Sequence, residues 1–253
     1  MAAPGIPPAP PEVLVTSRPL DEYCALFGLT RARFAALSGP LLDCPGGAAG
    51  LAAEARELGC RVIAVDPAYA LPPPVVAARA RAARAAMAAA MAARPHLYPA
   101  PRPHRVDRYL RSWDRAHRLF AADSAAHPQR YVAAELPRLP FADGTFALTL
   151  SGHLVFAYPE LFGPERQLAA LAELVRVTSP DGEVRVQPLC DGYGRRCGHL
   201  DPLRYALGER RITSEVHRYP VAEGVRTHRV LVLRAADHRR RAEARQAPLC
   251  NGH

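Results

Sequence analysis

No lysine occurs among the 253 residues, so a formal net charge of +9 is carried by arginine alone. The arginines are spread along the chain and no RNA-binding module accompanies them, so nucleic acid is a possible partner but not the favoured one. No run of about 18 apolar residues free of charge is present, which excludes a helical membrane span. The amino terminus lacks a basic segment followed by an apolar one, and no export signal is expected. The six cysteines show no paired C-x-x-C spacing. Cys190, Cys197 and His199 do not form a zinc pattern, so reduced thiols and no metal are expected. A cytoplasmic, bacterial-type enzyme is the default reading.

The stretch from Pro40 to Asp66 is the most informative part of the chain. Leu41 and Leu42 end a short buried strand. Gly46, Gly47 and Gly50 follow where the chain must turn sharply into a helix, and glycine tolerates such a turn while letting a ligand approach the backbone. The helix from about Leu51 to Leu58 is rich in Ala, Glu and Arg, and Gly59 stops it. Val62 to Val65 is an apolar run suited to a parallel strand buried on both faces, with Asp66 at its carboxyl end. Open α/β sheets bind ligands at that end. A glycine turn with a downstream acid serves nicotinamide dinucleotides and S-adenosylmethionine alike. Gly46-Gly47-Ala48-Ala49-Gly50 does not supply G-x-G-x-x-G, however, and Asp43 would oppose a pyrophosphate. A cationic sulfonium without phosphates suits that acid better.

Leu42-Asp43-Cys44-Pro45-Gly46-Gly47-Ala48, followed by Val65-Asp66-Pro67, resembles the class I S-adenosylmethionine-dependent methyltransferases. The interval from Asp43 to Asp66, 66 − 43 = 23 positions, holds one strand, one turn and one helix. A second block, Arg130 to Phe146 and on to His153, is similar to the family's third strand, acid, "LPF-x-D-x-S-F-D" turn and fourth strand. Glu173 to Val186 is similar to its "E-x-x-R-V…G-E-x" crossover. Pro45 and Ala49 stand where the family often has glycine, and Ala147 replaces the usual acid after Phe146. Overall the chain resembles a largely uncharacterised bacterial group of methyltransferase-like proteins. The resemblance implies a Rossmann-like α/β fold with a seven-stranded, mostly parallel sheet, an antiparallel last strand and a helical insertion after the second strand.

Three regions follow. Residues 1–18 read as a flexible leader, Ala-, Pro- and Gly-rich as far as Pro11, residues 19–234 as the methyltransferase domain and 235–253 as a basic flexible tail. Leu20 to Leu37 is helical, broken at Gly28-Leu-Thr30, where Thr30 can cap a second short helix. Between Asp66 and Glu135 lie 135 − 66 = 69 positions, whereas a βαβ unit needs about 30 residues. The excess is a helical insertion over 72–128. Pro72-Pro-Pro74 opens a helix to about Arg94 with Val76, Ala80, Ala83, Met87 and Met91 near one face. Pro95, Pro99, Pro101 and Pro103 form an extended connector. A second helix, about His104 to Ala122, carries an apolar stripe of Val106, Tyr109, Leu110, Trp113, Ala116, His117 and Phe120, with Arg108, Arg111, Arg115 and Arg118 turned outward. His117 reads as a packed, hydrogen-bonded histidine. Strands are expected at Tyr131 to Ala134, Phe146 to Ser151 and Glu183 to Pro188. A hairpin of Ile212 to Tyr219 and Thr227 to Leu233 is joined through Ala222-Glu-Gly224.

The resemblance implies that S-adenosyl-L-methionine is the cofactor and that Tyr23, Asp43, Pro45, Gly46, Gly47, Asp66, Pro67, Glu135, Leu136 and Ser151 bind it. In that scheme Asp66 accepts the ribose hydroxyls, Glu135 the adenine amino group, and the Pro45 to Ala49 backbone surrounds the amino acid moiety. Asp43 holds that loop or the ammonium through water. His153 and Tyr158, just past the fourth strand, face the methyl acceptor. No residue is assigned as the catalytic base. A small-molecule acceptor is expected, although no aromatic N-P-P-Y loop or paired cysteine set identifies it. A non-catalytic cofactor-binding protein and an RNA-directed methyltransferase are the other readings.

Overall fold

The protein is described here by a computed structural model covering residues 13–94, 103–220 and 227–236. Residues 1–12 of the leader, the connector prolines Pro95, Pro99 and Pro101, the turn Ala222-Glu-Gly224 and the tail beyond 236 lie outside the described residues.

The described residues form seven strands: β1 (Leu41–Asp43), β2 (Val62–Val65), β3 (Tyr131–Val132), β4 (Phe146–Gly152), β5 (Thr178–Gln187), β6 (Ile212–Pro220) and β7 (Thr227–Ala235). They pair in the order β3-β2-β1-β4-β5-β7-β6. All pairs up to β4–β5 are parallel, and β7 lies antiparallel between β5 and β6. The Rossmann-like sheet with its reversed last strand is therefore as expected. Sequence order reverses at β1, whose neighbours are β2 on one side and β4 on the other. The carboxyl ends of β1 and β4 consequently open onto the crevice in which such sheets bind ligands.

Two strand boundaries differ from expectation. β3 pairs over two residues rather than four, leaving Glu135 beyond the ladder. β5 starts at Thr178, before the Ser179-Pro-Asp-Gly182 turn: Thr178 sits opposite Phe146 and Glu183 opposite Leu148, so the turn is a bulge within the strand. Ala147, the departure from the family pattern, donates its N–H to Pro40 O at 2.8 Å. It therefore stands at the amino end of β4, away from the ligand-binding edge.

Helices cover both faces. On one face α1 (Leu20–Phe27), α2 (Arg31–Ala35) and α3 (Leu51–Arg56) bury Leu20, Phe27, Phe34 and Leu51 against Leu41, Leu148 and Leu150. Thr30 accepts a hydrogen bond from Arg33 N and caps α2 as expected. On the other face α6 (Pro164–Val177) and α7 (Leu200–Glu209) press Leu171, Leu174 and Leu203 onto Val184, Val186 and Leu233. The insertion supplies α4 (Pro73–Ala93) and α5 (Pro103–Ala126). Val76, Ala80, Ala83 and Met91 of α4 and Leu110, Trp113, Ala116 and Phe120 of α5 are buried, so the apolar stripes fall where their spacing puts them. Arg108, Arg111, Arg115 and Arg118 are exposed. His117 departs from expectation: its ring stacks on Phe120, but its buried Nδ1 has no hydrogen-bond partner. Among the described residues no helix is long and apolar enough to cross a membrane.

Buried acids fasten α5 to the body of the fold. Glu22 of α1 accepts from Tyr109 Oη at 2.9 Å and from Trp113 Nε1 at 3.1 Å. Glu54 of α3 accepts from Leu20 N at 2.7 Å and pairs with Arg115 at 2.9 Å. Asp123 accepts from Tyr131 Oη at 2.8 Å and from Arg56 Nε at 3.1 Å. Replacing Asp123, whose side chain is only 1% exposed, by Ala would leave the Tyr131 hydroxyl without its acceptor and release Arg56 to solvent. The variant is expected to lose about 1–3 kcal/mol of stability. In a urea titration this is a lower midpoint at unchanged slope, and an unaltered midpoint would remove Asp123 from the fold's supports.

Candidate functional site

Two cavities open at the carboxyl ends of β1, β2 and β4. The smaller, of about 380 Å³, has Pro45, Asp66, Pro67, Glu135 and Leu136 in its wall. The larger, of about 530 Å³, is lined by Tyr23, Gly47, His153, Tyr158 and Gln187 among others. Val13, Leu14, Pro45 and Asp66 line both, which makes them adjoining halves of one crevice.

Asp66 sits at the junction. Its extended backbone ends β2 and caps the short 3-10 turn Pro67–Ala70, with proline at the first position, where its missing N–H costs nothing. One carboxylate oxygen accepts from Ala68 N at 2.9 Å and the other from Gly47 N at 2.9 Å. The acid thus couples the tip of β2 to the glycine turn after β1. Burial pushes its pKa up, opposed by those two N–H groups and by the Arg79 charge. Each oxygen retains a further lone pair for a ligand hydroxyl. Glu135 lies beside it on an exposed rim.

The glycine turn is organised differently from expectation. Its amides are already engaged: Gly46 N donates to Val65 O, Ala48 N to Thr16 O and Ala49 N to Gly46 O, in addition to the Gly47 bond. A Cβ on Gly47, whose φ is +54°, would lie 2.7 Å from Thr16 O, and one on Gly46 would meet the Tyr69 hydroxyl at 2.5 Å. The missing side chains admit the chain's own segment 13–18 and Tyr69. That segment, read from sequence as leader, packs instead: Val15, Ser17 and Arg18 are buried, and Leu14 N donates to the Tyr158 hydroxyl at 3.1 Å.

Asp43 and its neighbours lie beneath. Tyr23 donates to Asp43 Oδ2 at 2.9 Å, while the buried Oδ1 has no partner. Asp43, Gly46 and Ser151 are not among the residues lining these two cavities. Asp43 acts through Tyr23, Gly46 makes room for Tyr69, and Ser151 is enclosed within the sheet. Burial, with Asp66 nearby, pushes the Asp43 carboxyl up to about 8, although the Tyr23 hydrogen bond works against the rise.

Sequence reasoning missed several wall residues. Arg18 reaches the larger cavity. Desolvation opposes its charge, but Glu22 at 3.0 Å together with Tyr109 and Tyr23 raises its pKa on balance, and the guanidinium lies 5.3 Å from the Trp113 ring centre. Gln187 and His228 line the same cavity from β5 and β7. Of the insertion, α4 contributes Ala86, Met87 and Ala90 to the larger cavity and Arg79 to the smaller, Arg94 just past its end lines the larger, and no described residue of α5 lines either. The sequence signal for packing of segment 13–18 is the short apolar Val13-Leu-Val15 run between the proline-rich start and Arg18. Among the described residues no three His, Cys, Asp or Glu side chains converge to hold a metal ion.

No protein-family profile matches the chain. An uncharacterized protein of Methanocaldococcus jannaschii is 23% identical over 230 residues, covering 88% of this chain and 96% of that one. Among solved structures, 1,6-didemethyltoxoflavin-N1-methyltransferase of Burkholderia thailandensis, with 1,6-didemethyltoxoflavin and S-adenosylhomocysteine bound, is 19% identical. It covers 82% of this chain and 76% of its own, with a TM-score of 0.45. The antibiotic-resistance methyltransferase Kmr is 17% identical over 81% of this chain and 93% of its own, with a TM-score of 0.42. The strand order, with β7 reversed between β5 and β6, decides the architecture. The fold is that of the class I methyltransferases.

The raised Asp43 pKa has a thermodynamic consequence. A carboxyl with an ordinary pKa of 3.8 unfolded and about 8 folded binds more protons in the native state between those values. Stability attributable to it is therefore greatest below about pH 4 and declines as pH rises toward about 8. Asp43→Asn should abolish this decline, so its stability relative to the parent improves across that window. A difference between the two proteins that stays constant with pH would show that Asp43 does not titrate there.

Proposed function

We propose that the protein is an S-adenosylmethionine-dependent methyltransferase acting on a small molecule. The observation that carries this reading is the junction at Asp66: a buried carboxylate, held by two backbone N–H groups, lines both halves of a crevice at the switch point of the sheet. The smaller half suits an adenosine. Asp66 accepts from the ribose hydroxyls, Glu135 from the adenine amino group, and Pro67 and Leu136 supply apolar contact to the base. The larger half takes the amino acid moiety and the acceptor. Because the turn amides are spent within the protein, the carboxylate falls to Arg18 rather than to the Pro45–Ala49 backbone.

The fit is supported by what is left unsatisfied. Asp43 Oδ1 is a buried acceptor without a partner, one layer behind Tyr23 and Gly47, and a nearby ammonium would favour its ionised form. Bound S-adenosylmethionine supplies an electrophilic methyl group on a cationic sulfur. The chain's own part is to orient the reactants and keep water away. Segment 13–18 and α4 cover the crevice. Arg108, Arg111, Arg115 and Arg118 of α5 are exposed and are not among the described wall residues of either cavity, whose arginines are Arg18, Arg79, Arg94 and Arg166.

Isothermal titration with S-adenosylmethionine and S-adenosylhomocysteine tests the reading directly, and the absence of heat with both would end it. Asp66→Asn removes the charge and leaves one of the two backbone N–H groups facing an amide nitrogen in place of an acceptor. It is expected to weaken binding of either compound by about 1–3 kcal/mol, with circular dichroism unchanged. Unaltered affinity would take Asp66 out of the binding site.

A further inference from the structure

We propose that Arg94 is the counter-charge for a carboxylate, and that the methyl acceptor bound in the larger cavity is a small acid with an apolar body. This deepens the methyltransferase reading by naming the class of acceptor, and rests on it only for the identity of the neighbouring ligand.

Four side chains that carry charge at neutral pH line this cavity: Arg18, Asp66, Arg94 and Asp191. Burial holds the pKa of both His153 and His228 below the ordinary histidine value, so neither ring adds a charge there. Three of the four charges are answered within the protein. Arg18 pairs with Glu22 at 3.0 Å. Asp191 accepts from Tyr193 N and Arg195 N, each at 2.9 Å, through one oxygen and from Arg195 Nε at 2.6 Å through the other. Asp66 is held by two backbone N–H groups, and the cation that acts on it is Arg79. Arg94 is half-buried and has no carboxylate partner among the described residues. A cation left unanswered in a cavity wall favours an anionic ligand.

Arg94 is nevertheless fixed in place. Its backbone N–H donates to Ala90 O at 2.9 Å, closing the last turn of α4, and its guanidinium lies over the Tyr193 ring, 5.1 Å from the centroid. Tyr193 belongs to the loop after β5, which Asp191 folds back on itself through the bonds above, helped by Gly194 at a φ of +80°. Arg195 lies 5.3 Å from the same ring, but its charge is met by Asp191. An aromatic ring attracts a guanidinium without supplying a negative charge. The fork of N–H donors on Arg94 therefore remains for a carboxylate, which can take two of them side by side. Tyr193 is the positioning residue in this arrangement. Leu26, Phe27, Met87 and Ala157 line the same cavity and suit an apolar body. The Tyr158 hydroxyl, also in the wall, accepts from Leu14 N and keeps its own proton for an acceptor atom of the ligand.

The test loads the protein with S-adenosylhomocysteine and titrates benzoate, nicotinate and indole-3-acetate by calorimetry, each against its neutral primary amide. At least one acid should bind at least about tenfold more tightly than its amide, the margin of a charge-assisted pair over a neutral one. Arg94→Gln should abolish that margin and Arg94→Lys should keep part of it. Tyr193→Leu, which removes the ring and leaves the charge, should reduce it. In all three variants S-adenosylhomocysteine should bind as before, which also shows that they fold. Equal binding of acids and amides, no binding of any acid, or a margin that survives Arg94→Gln overturns the inference and leaves the cofactor reading intact. Loss of S-adenosylhomocysteine affinity in folded Arg94→Gln would also overturn it, by giving Arg94 to the cofactor's carboxylate. If the parent protein does not bind S-adenosylhomocysteine, the methyltransferase reading falls, and the same titrations on the unloaded protein still decide whether Arg94 holds a carboxylate.

Discussion

A single buried carboxylate governs the arrangement of this molecule's crevice. By accepting from Gly47 N and Ala68 N, Asp66 joins two loops that leave the sheet in different directions, the turn into α3 and the 3-10 turn that leads to the inserted helices. A carboxylate is costly to bury unless its charge is met by hydrogen bonds, so each N–H secures the acid and the acid secures each loop. The positions of Pro45 and Pro67, and with them the shared wall of the two cavities, follow from that mutual restraint.

Around this clamp the chain uses its own backbone where a ligand was expected. Segment 13–18 runs over the glycine turn, takes the Ala48 amide through Thr16 and touches Tyr158 through Leu14. Arg18, at its end, is held by Glu22, and Glu22 in turn binds Tyr109 and Trp113 of α5. A continuous set of polar contacts therefore runs from the crevice wall to the outer helix of the insertion. Packing of α5 on α3 completes it, with Gly50 allowing Ala116 to approach closely.

Much of this was legible in the sequence because burial on both faces leaves a strong mark. Val62 to Val65 and Phe146 to Ser151 are nearly continuous apolar runs, and the α4 and α5 stripes have helical spacing, so these elements fall within a few residues of expectation. What the sequence hid were features that depend on distant partners. The two-residue β3 is limited by its pairing with β2, and the bulge in β5 by the Phe146–Leu148 register. In the site, Asp66, Glu135, His153 and Tyr158 reach the crevice as strand-end residues should. Ser151 does not, because alternation along β4 turns it inward, and Asp43 is covered by the very tyrosine expected to share its ligand. Gln187 and His228 carried no local signal, since only the crossover of β5 and the return of β7 bring them beside His153.

One consequence of the insertion concerns how the two halves of the crevice can vary. Asp66, Pro67, Glu135 and Leu136 lie on loops at the tips of β2 and β3, whereas Ala86, Met87 and Ala90 lie on a helix that contributes only Arg79 to the smaller half. Val76, Ala80 and Ala83 bury the earlier turns of the same helix. Exchanging Ala86 or Ala90 for a bulkier residue would narrow the larger cavity while Asp66, Pro67, Glu135 and Leu136 keep the wall of the smaller one. The shape of the larger cavity is thereby decoupled from that of the smaller one.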